Sequence, residues 1–449
     1  MWAWGFVLAS VVGYGFIAWL ASATDLGQDA RPRFDERVFH LAEVHRLQEV
    51  GVLHDPEGSR TATTPGYHAV LSWVARLGLE GEVGLRLVGV VFSAGLLGTV
   101  AWWLASPRRG IDARLGAGLV GVLACSPYVV GSAAWIGPEN AGWWGVAAVM
   151  LLCVTAPMRG VRLVLVGLAL AGLMAIRQSH LWAAAVVWTA AWLTPEPADR
   201  AAAWWWLRDW GRRAQAALLG VLATLPAFAV VAGFAWVWGG LVPPNFQGGV
   251  IDPRTGSLFP TNAGTNPAAV TLALAVMGFF GPWFAAAVWP AVRVRAADFG
   301  RGRAVAVVAG AGVLAAVIAT LPMTTYSVAD GRFGGLWHLA RVGPTVAERS
   351  LVMIALAGLG GSVIGWMGLA LPDWRPRLVL LAALVAQTAA QVATLNAWQR
   401  YVEPIILLML IAATALACAE RGAPAKRWHW IPIGALAVVQ AVLTWGALR

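Results

Sequence analysis

The stretches WAWGFVLASVVGYGFIAWLAS at residues 2–22 and FDERVFHLAEVHRLQEVG at residues 34–51 decide the fold between them. The first carries no charge and, at about 1.5 Å of helix rise per residue, is long enough to cross a hydrocarbon core of ~30 Å. The second places apolar residues at Phe34, Val38, Leu41, Val44, Leu47 and Val50 and stops at Gly51. That is a helical stripe ended by a glycine. Its opposite face carries Asp35, Glu36, His40, Glu43 and Arg46. A membrane span followed by an amphipathic helix lying on the outer membrane surface is expected. Ala21-Ser22-Ala23 would suit signal peptidase, but no Lys or Arg precedes the run, so it is read as an uncleaved first span.

The first pattern recurs along the whole chain. Of 449 residues, 59% are hydrophobic and only 12% charged, with 27 Trp and a mean hydropathy of +0.68. A soluble fold could not hide that much apolar surface, whereas a bilayer can. Collagen-like, disordered and disulfide-framework classes are excluded by the same composition. Apolar runs at 2–22, 85–106, 114–131, 141–157, 161–176, 180–194, 214–238, 268–292, 303–322, 350–371, 377–395, 402–419 and 430–447 predict an all-α polytopic membrane protein. A single integral-membrane domain over 1–449, with about 12–14 transmembrane helices, is expected. Arg177-Gln178-Ser179-His180 interrupts 161–194, which reads as a helical hairpin with a polar tip. Cys125, Cys153 and Cys418 lie far apart in apolar runs and read as inert packing residues.

The net charge of +10 does not point to nucleic acid, because the basic residues sit in short loops between apolar runs. Assigning loops alternately to two sides gives one side 18 basic and 7 acidic residues, and the other 14 and 15. The basic side is expected in the cytoplasm. The opposite side owns 23–84, 132–140, the 177–180 tip, 239–267, 323–349 and 396–401, so every long, chemically varied loop lies on one face. Trp204-Trp205-Trp206 reads as an interfacial anchor on the cytoplasmic side.

Five motifs on the outer side stand out, each with a plain structural explanation beside the functional one. Asp35-Glu36 could cap a helix, or supply a general base or a metal ligand. Thr63-Thr64-Pro65-Gly66-Tyr67-His68 reads as a turn entering a helix. Arg177-Gln178 could snorkel to the interface, or mark a site, since an ionisable group between apolar runs is expensive. Asp330-Gly331-Arg332 with Trp337, His338, Arg341 and Arg349 concentrates cations whose forked guanidiniums suit phosphate oxygens. Arg400-Tyr401-Val402-Glu403-Pro404 opens a span with a charge pair at a spacing suited to a helix-end salt bridge. No phosphate-cradling GKS loop, dinucleotide glycine fingerprint or His-rich metal signature occurs, which argues against a nucleotide-driven pump.

The order of these motifs resembles the eukaryotic dolichyl-phosphate-glucose α-1,2-glucosyltransferase family. Asp35-Glu36 with Phe39-His40, Asp55-Pro56 and Thr63-Thr64-Pro65-Gly66-Tyr67 open the resemblance. It continues through Leu85-Arg86-Leu87 with Phe92-Ser93, Arg177-Gln178 before Trp182, and Gly248-Gly249-Val250. Tyr326, Ala329-Asp330-Gly331-Arg332 with Trp337, and Arg400-Tyr401 complete it over nearly the whole chain. The chain departs from the family by one extra residue before Phe39, by Asp252-Pro253-Arg254 after Gly249, and by Trp398-Gln399 and Glu403 around the last motif. Its Arg-rich, Lys-poor composition suggests a prokaryotic relative in a cytoplasmic membrane.

The resemblance implies a GT-C type bundle whose first outer loop, 23–84, holds the catalytic acid. It implies an inverting transfer of a hexose, glucose first, from a polyprenyl-phosphate-sugar donor to a hydroxyl of a glycan or lipid-linked acceptor. On that footing Asp35 is the expected general base, with Glu36 as second choice or orienting neighbour. Arg332 and Arg400, then Arg341 and Arg177, are expected at the donor phosphate. His40, His68, Gln178, Trp337, Tyr401 and Glu403 are expected at the sugar or acceptor. No metal or other cofactor is expected, because arginines can hold a leaving group with a single phosphate. The expected partners are donor, acceptor and membrane lipids, with no nucleic acid. Two alternatives stand beside this reading: a GT-C enzyme moving mannose or arabinose, and a non-enzymatic carrier or flippase of lipid-linked sugars.

Overall fold

The computed structural model describes residues 2–23, 35–51, 55–106, 110–195, 209–247, 250–251, 258–259, 264–419 and 427–448. Phe34, Gly248-Gly249, the Asp252-Pro253-Arg254 departure and the Trp204–Trp206 cluster lie outside these residues. Helices dominate. They are α1 (Trp2–Ala23), α2 (Ala42–Glu49), α3 (Gly66–Arg76), α4 (Glu82–Leu104), α5 (Ala113–Ala124) and α6 (Pro127–Ala134). The chain continues through α7 (Glu139–Thr155), α8 (Val161–Ile176), α9 (Ala183–Trp192), α10 (Trp210–Trp238), α11 (Ala268–Phe280) and α12 (Pro282–Phe299). It ends with α13 (Arg301–Ala319), α14 (Trp337–Val342), α15 (Leu351–Ala370), α16 (Trp374–Val392), α17 (Glu403–Ala419) and α18 (Arg427–Leu448). Two short antiparallel pairs, Val250–Ile251 with Leu258–Phe259 and Thr345–Val346 with Arg349–Ser350, decorate the loops.

Every apolar run read from the sequence contains helix. Among the described residues five helices are long and apolar enough to cross a membrane: Glu82–Leu104, Trp210–Trp238, Arg301–Ala319, Leu351–Ala370 and Arg427–Ala447. Two bent pairs raise this to seven if each is one span. The pair α5–α6 bends by 61° before Pro127, and α11–α12 by 72° at Gly281-Pro282. Proline removes an amide donor and crowds the preceding turn, so a bend at these positions has a local cause. The protein is an all-α polytopic membrane protein.

Burial separates the helices by role. In α10 only Arg213, Gly220, Thr224, Ala227 and Trp238 are buried, while Leu218, Leu222 and Trp236 are exposed, as suits a helix facing lipid. In α17 nearly every residue is buried, which makes it the central helix. Against α15, α11 packs so closely that a Cβ at Gly278 would collide with the Leu356 carbonyl, and one at Gly360 with that of Leu274. Small residues at such crossings let backbones approach without help from water exclusion.

Loops expected on one side do gather at one end. Gln178 bonds Ala62 and Leu241 carbonyls, and Asn266 bonds Asp330 and Leu395 carbonyls. At the other end Arg375 donates to the Cys153, Ala156 and Leu193 carbonyls, and buried Arg213 to those of Trp192 and Pro195. Those arginines therefore do more than bias topology: they satisfy carbonyls left over where α7 and α9 end.

The helix at 35–49 packs its apolar stripe inside the protein, and its polar face is partly enclosed as well. It starts with a π-helical turn at Glu36–Leu41 and continues as α2. Leu41 and Val44 join Tyr67, Leu71, Ala75, Leu85 and Ile136 in a small core. On the polar face Glu36 and Glu43 are also fully buried. Ion pairs explain the enclosure: Glu43 binds Arg46 at 2.8 Å and Glu36 binds Arg86, so the charged face can enter the protein.

Candidate functional site

Three segments far apart in sequence meet at the end where the long loops gather. Asp35 opens the first helical turn, Arg177 follows α8 directly, and Arg400 lies in the 3₁₀ turn Gln399–Tyr401 that leads into α17. The Arg400 Nη1 lies 4.0 Å from a carboxylate oxygen of Asp35, and both side chains are about 30% exposed at 30% and 27%. Arg400 stacks over Trp398 at 4.2 Å and Tyr401 at 4.9 Å, and its Nη2 donates to the Tyr401 hydroxyl at 2.9 Å. Arg177 also lies over the Tyr401 ring, at 4.9 Å. Two guanidiniums thus share one aromatic ring beside one carboxylate. The Nε of Arg400 is buried with no hydrogen-bond partner among the described residues.

Glu139 belongs to this group, and the sequence reading missed it. It pairs with Arg177 at 3.1 Å and also feels Arg400 and His40. Its signal was a Pro-Glu-Asn turn opening an apolar run, an acid where a membrane chain seldom keeps one without use. His40 adds a ring whose Nδ1 sits 2.9 Å from Nε2 of fully buried His68. Burial pushes His40 down to about 4, with Glu139 opposing and Arg177 and Arg400 reinforcing the shift. Burial likewise holds His68 well below the usual imidazole value. Both rings are therefore neutral at pH 7, joined by one N–H···N bond. Among the described residues His68 Nδ1 has no partner. Donation from His68 Nε2 to His40 leaves that orphan as a lone pair, not as a buried N–H, which costs less.

Neighbouring carboxylates differ sharply. Glu36 is fully buried; its Oε1 accepts from Arg86 Nε at 3.0 Å and Nη2 at 2.5 Å, and its Oε2 from the Ile136 amide at 3.0 Å. Both oxygens of Glu36 are thus committed to hydrogen bonds inside the protein. Glu403 does not form the expected helix-end pair with Arg400. It is enclosed in the core, accepting from Ser126 and Gln399, each at 2.6 Å.

The remaining expected contacts act as supports. Gln178 accepts from the Thr64 amide and donates to two carbonyls, and Thr64 Oγ1 donates to the Met174 carbonyl. The Thr63-Thr64-Pro65-Gly66 turn is therefore stapled to the end of α8. Arg332 is buried, donating to the Thr325 carbonyl and pairing with Asp330 at 2.9 Å, while Arg341 lies over the Tyr326 ring. Trp337 is fully buried, its indole N–H bonded to the Ala397 carbonyl. The Leu336 amide donates to Gln399, and Phe333 contacts the Trp398 ring at 5.6 Å. The 331–337 segment thus grips the strip that presents Arg400. Gly331 makes this grip possible: its φ is +66°, and a Cβ there would strike the Leu395 carbonyl.

Among the described residues no group of three or more His, Cys, Asp and Glu is placed to hold a metal ion. Two cavities, of about 610 and 570 Å³, open around Arg159 and Arg212 and around Arg295 and Arg377, and neither is lined by site residues. A carboxylate at the lip of a cationic, aromatic cluster can take a proton from a hydroxyl while the guanidiniums hold an anion. The chain matches no family model, no curated protein and no solved structure.

Proposed function

We propose that this protein is an inverting, polyprenyl-phosphate-sugar-dependent hexosyltransferase of the GT-C type, with about 12–14 spans and its site on the non-cytoplasmic face. The observation that carries the reading is the meeting of Asp35, Arg400, Tyr401 and Arg177 at the end where the long loops gather. The acceptor hydroxyl oxygen attacks the anomeric carbon of a β-linked donor. The bond from that carbon to the phosphate oxygen breaks, and the hydroxyl proton passes to Asp35. The α-linked glycoside forms as polyprenyl phosphate leaves.

Arg400 and Arg177 receive the growing charge on the departing phosphate, where preorganised cations contribute most. Arg400 is suited to this because its side chain is about 30% exposed and its contact with Asp35 is loose. Trp337 serves by fixing the strip under Arg400, and Arg332 by holding the adjoining 325–330 turn. Glucose is the leading sugar, on the resemblance alone. No metal takes part in the proposed step.

The test is donor consumption by the purified protein across a panel of polyprenyl-phosphate monosaccharides, with a mixed glycan acceptor pool. The expected result is use of one donor, reduced by about 10²–10⁴-fold in Asp35→Asn while the variant stays folded. Equal turnover in Asp35→Asn, or no donor used by folded wild-type protein, overturns the proposal.

A further inference from the structure

Glu139 is the acid that the proposed reaction leaves without a task. It opens α7, behind Pro138, and its Oε1 meets Arg177 Nη1 at 3.1 Å. Arg177 sits where α8 ends, in extended backbone. Its Nε donates to Ser179 Oγ, and its face lies over the Tyr401 ring that Arg400 also covers. Glu139 is ionised at pH 7: burial opposes its charge, but Arg177 and Arg400 hold its carboxyl down at about 2. A negative charge therefore already stands beside both guanidiniums assigned to the phosphate.

This acid is held more lightly than its neighbours. Glu43 takes two Arg46 nitrogens, at 2.8 and 3.0 Å, and the Arg60 amide at 2.7 Å. Glu36 commits both oxygens, to Arg86 and to the Ile136 amide. Among the described residues Glu139 pairs with Arg177 alone. Its side chain is 19% exposed, whereas Glu36 and Glu43 are sealed. A single ion pair at the rim, part-screened by solvent, can be exchanged for another anion at small cost, which a sealed pair cannot.

We propose that Glu139 stands in for the lipid phosphate: it occupies Arg177 in the resting site and competes with polyprenyl phosphate for that guanidinium after transfer, so that the product leaves. The inference rests on the hexosyltransferase reading. A donor phosphodiester carries one negative charge, whereas the phosphate freed when its bond to the anomeric carbon breaks carries about 1.5–2 at pH 7. Repulsion from a nearby carboxylate grows in proportion, so Glu139 acts more strongly on product than on donor. It touches no reacting atom; its part is to set how tightly the leaving phosphate is kept.

The test is binding of undecaprenyl phosphate and of uncharged undecaprenol to the full-length protein in neutral detergent. Glu139→Gln is expected to bind undecaprenyl phosphate about tenfold tighter than wild type, since a nearby unit charge is removed. Its affinity for undecaprenol is expected to stay as in wild type, and its affinity for the sugar donor to rise by less. Glu139→Asp keeps the charge and is expected to bind near the wild-type level. A carboxylate that only fixed Arg177 would give the opposite sign, because its loss would loosen that arginine. Equal or weaker phosphate binding by Glu139→Gln therefore overturns the proposal, as does equal tightening by Glu139→Asp. Wild-type protein that holds undecaprenyl phosphate far more tightly than the donor overturns it without any variant. Donor consumption read beside binding separates the two claims. Consumption without tightening in Glu139→Gln overturns the role of Glu139 alone, whereas tightening with no donor consumed keeps the exchange at Arg177 and overturns the transfer.

Discussion

Glu36 and Asp35 are adjacent, yet the structure gives them opposite surroundings, and a double-mutant cycle on Glu36 and Arg86 tests that difference. Arg86 is 5% exposed at its side chain and Glu36 not at all, so the pair is sealed from water. Replacing Glu36 by Leu takes its fully buried counter-ion from the Arg86 guanidinium, which keeps its pair with half-exposed Glu82, and strands the Ile136 amide. Removing one partner of a buried pair costs about 3–5 kcal/mol. An orphaned amide accounts for ~1–3 kcal/mol of that loss. Arg86→Met strands the Glu36 carboxylate and should cost a similar amount. The double variant leaves no buried charge, so it should cost less than the two single changes together, with a coupling of about 2–3 kcal/mol. Unfolding by SDS titration in mixed micelles reads all four proteins. Additive losses, or a Glu36→Leu variant as stable as wild type, would refute the sealed-pair account and return Glu36 to the list of candidate bases.

Three further outcomes follow from the geometry. The His40–His68 pair makes stability depend on acid: with both rings held below the free value of 6.5, the unfolded chain binds protons that the folded one does not. Stability is full above pH ~6.5 and falls toward pH 4, by about 2 kcal/mol at pH 5 from His40 alone. A His40→Gln, His68→Gln variant should show a flatter midpoint-versus-pH curve, and an identical slope would discard the idea. Gly331→Ala forces a side chain into a positive φ against the Leu395 carbonyl, which should cost at least ~1 kcal/mol and lower turnover by displacing Arg400; no change in either quantity would show that the loop does not hold the site. Exposed Glu57 and Arg301, each replaced by Cys, test the topology with an impermeant maleimide on intact cells. Glu57→Cys should label directly and Arg301→Cys only after permeabilisation, and the reverse pattern would invert the assignment of faces.

The sequence alone determined the class of fold, because hydropathy and helix length are local properties. A run such as 303–322 must be helical and must avoid water whatever surrounds it. The same local logic put together the loops that gather at one end of the bundle, since alternation of spans leaves each loop only two places to be. It also named Asp35, Arg177, Tyr401, Arg400 and His40, charged or aromatic residues at loop ends. What it could not fix was which of two neighbouring residues faces water. Asp35 and Glu36 differ by one helical step of about 100°, and only the packing of Arg86 and Ile136 against that step decides that Glu36 is sealed. Periodicity likewise put Glu43 and Arg46 on an exposed face, because a stripe reports polarity and not partners. Glu139 and Gln399 gained their places through contacts with Arg177 and Leu336, 38 and 63 residues away, which no local window contains. Hydropathy set the helices; the pairing of buried charges between them set the site, since each buried ion has to find its counter-ion in three dimensions.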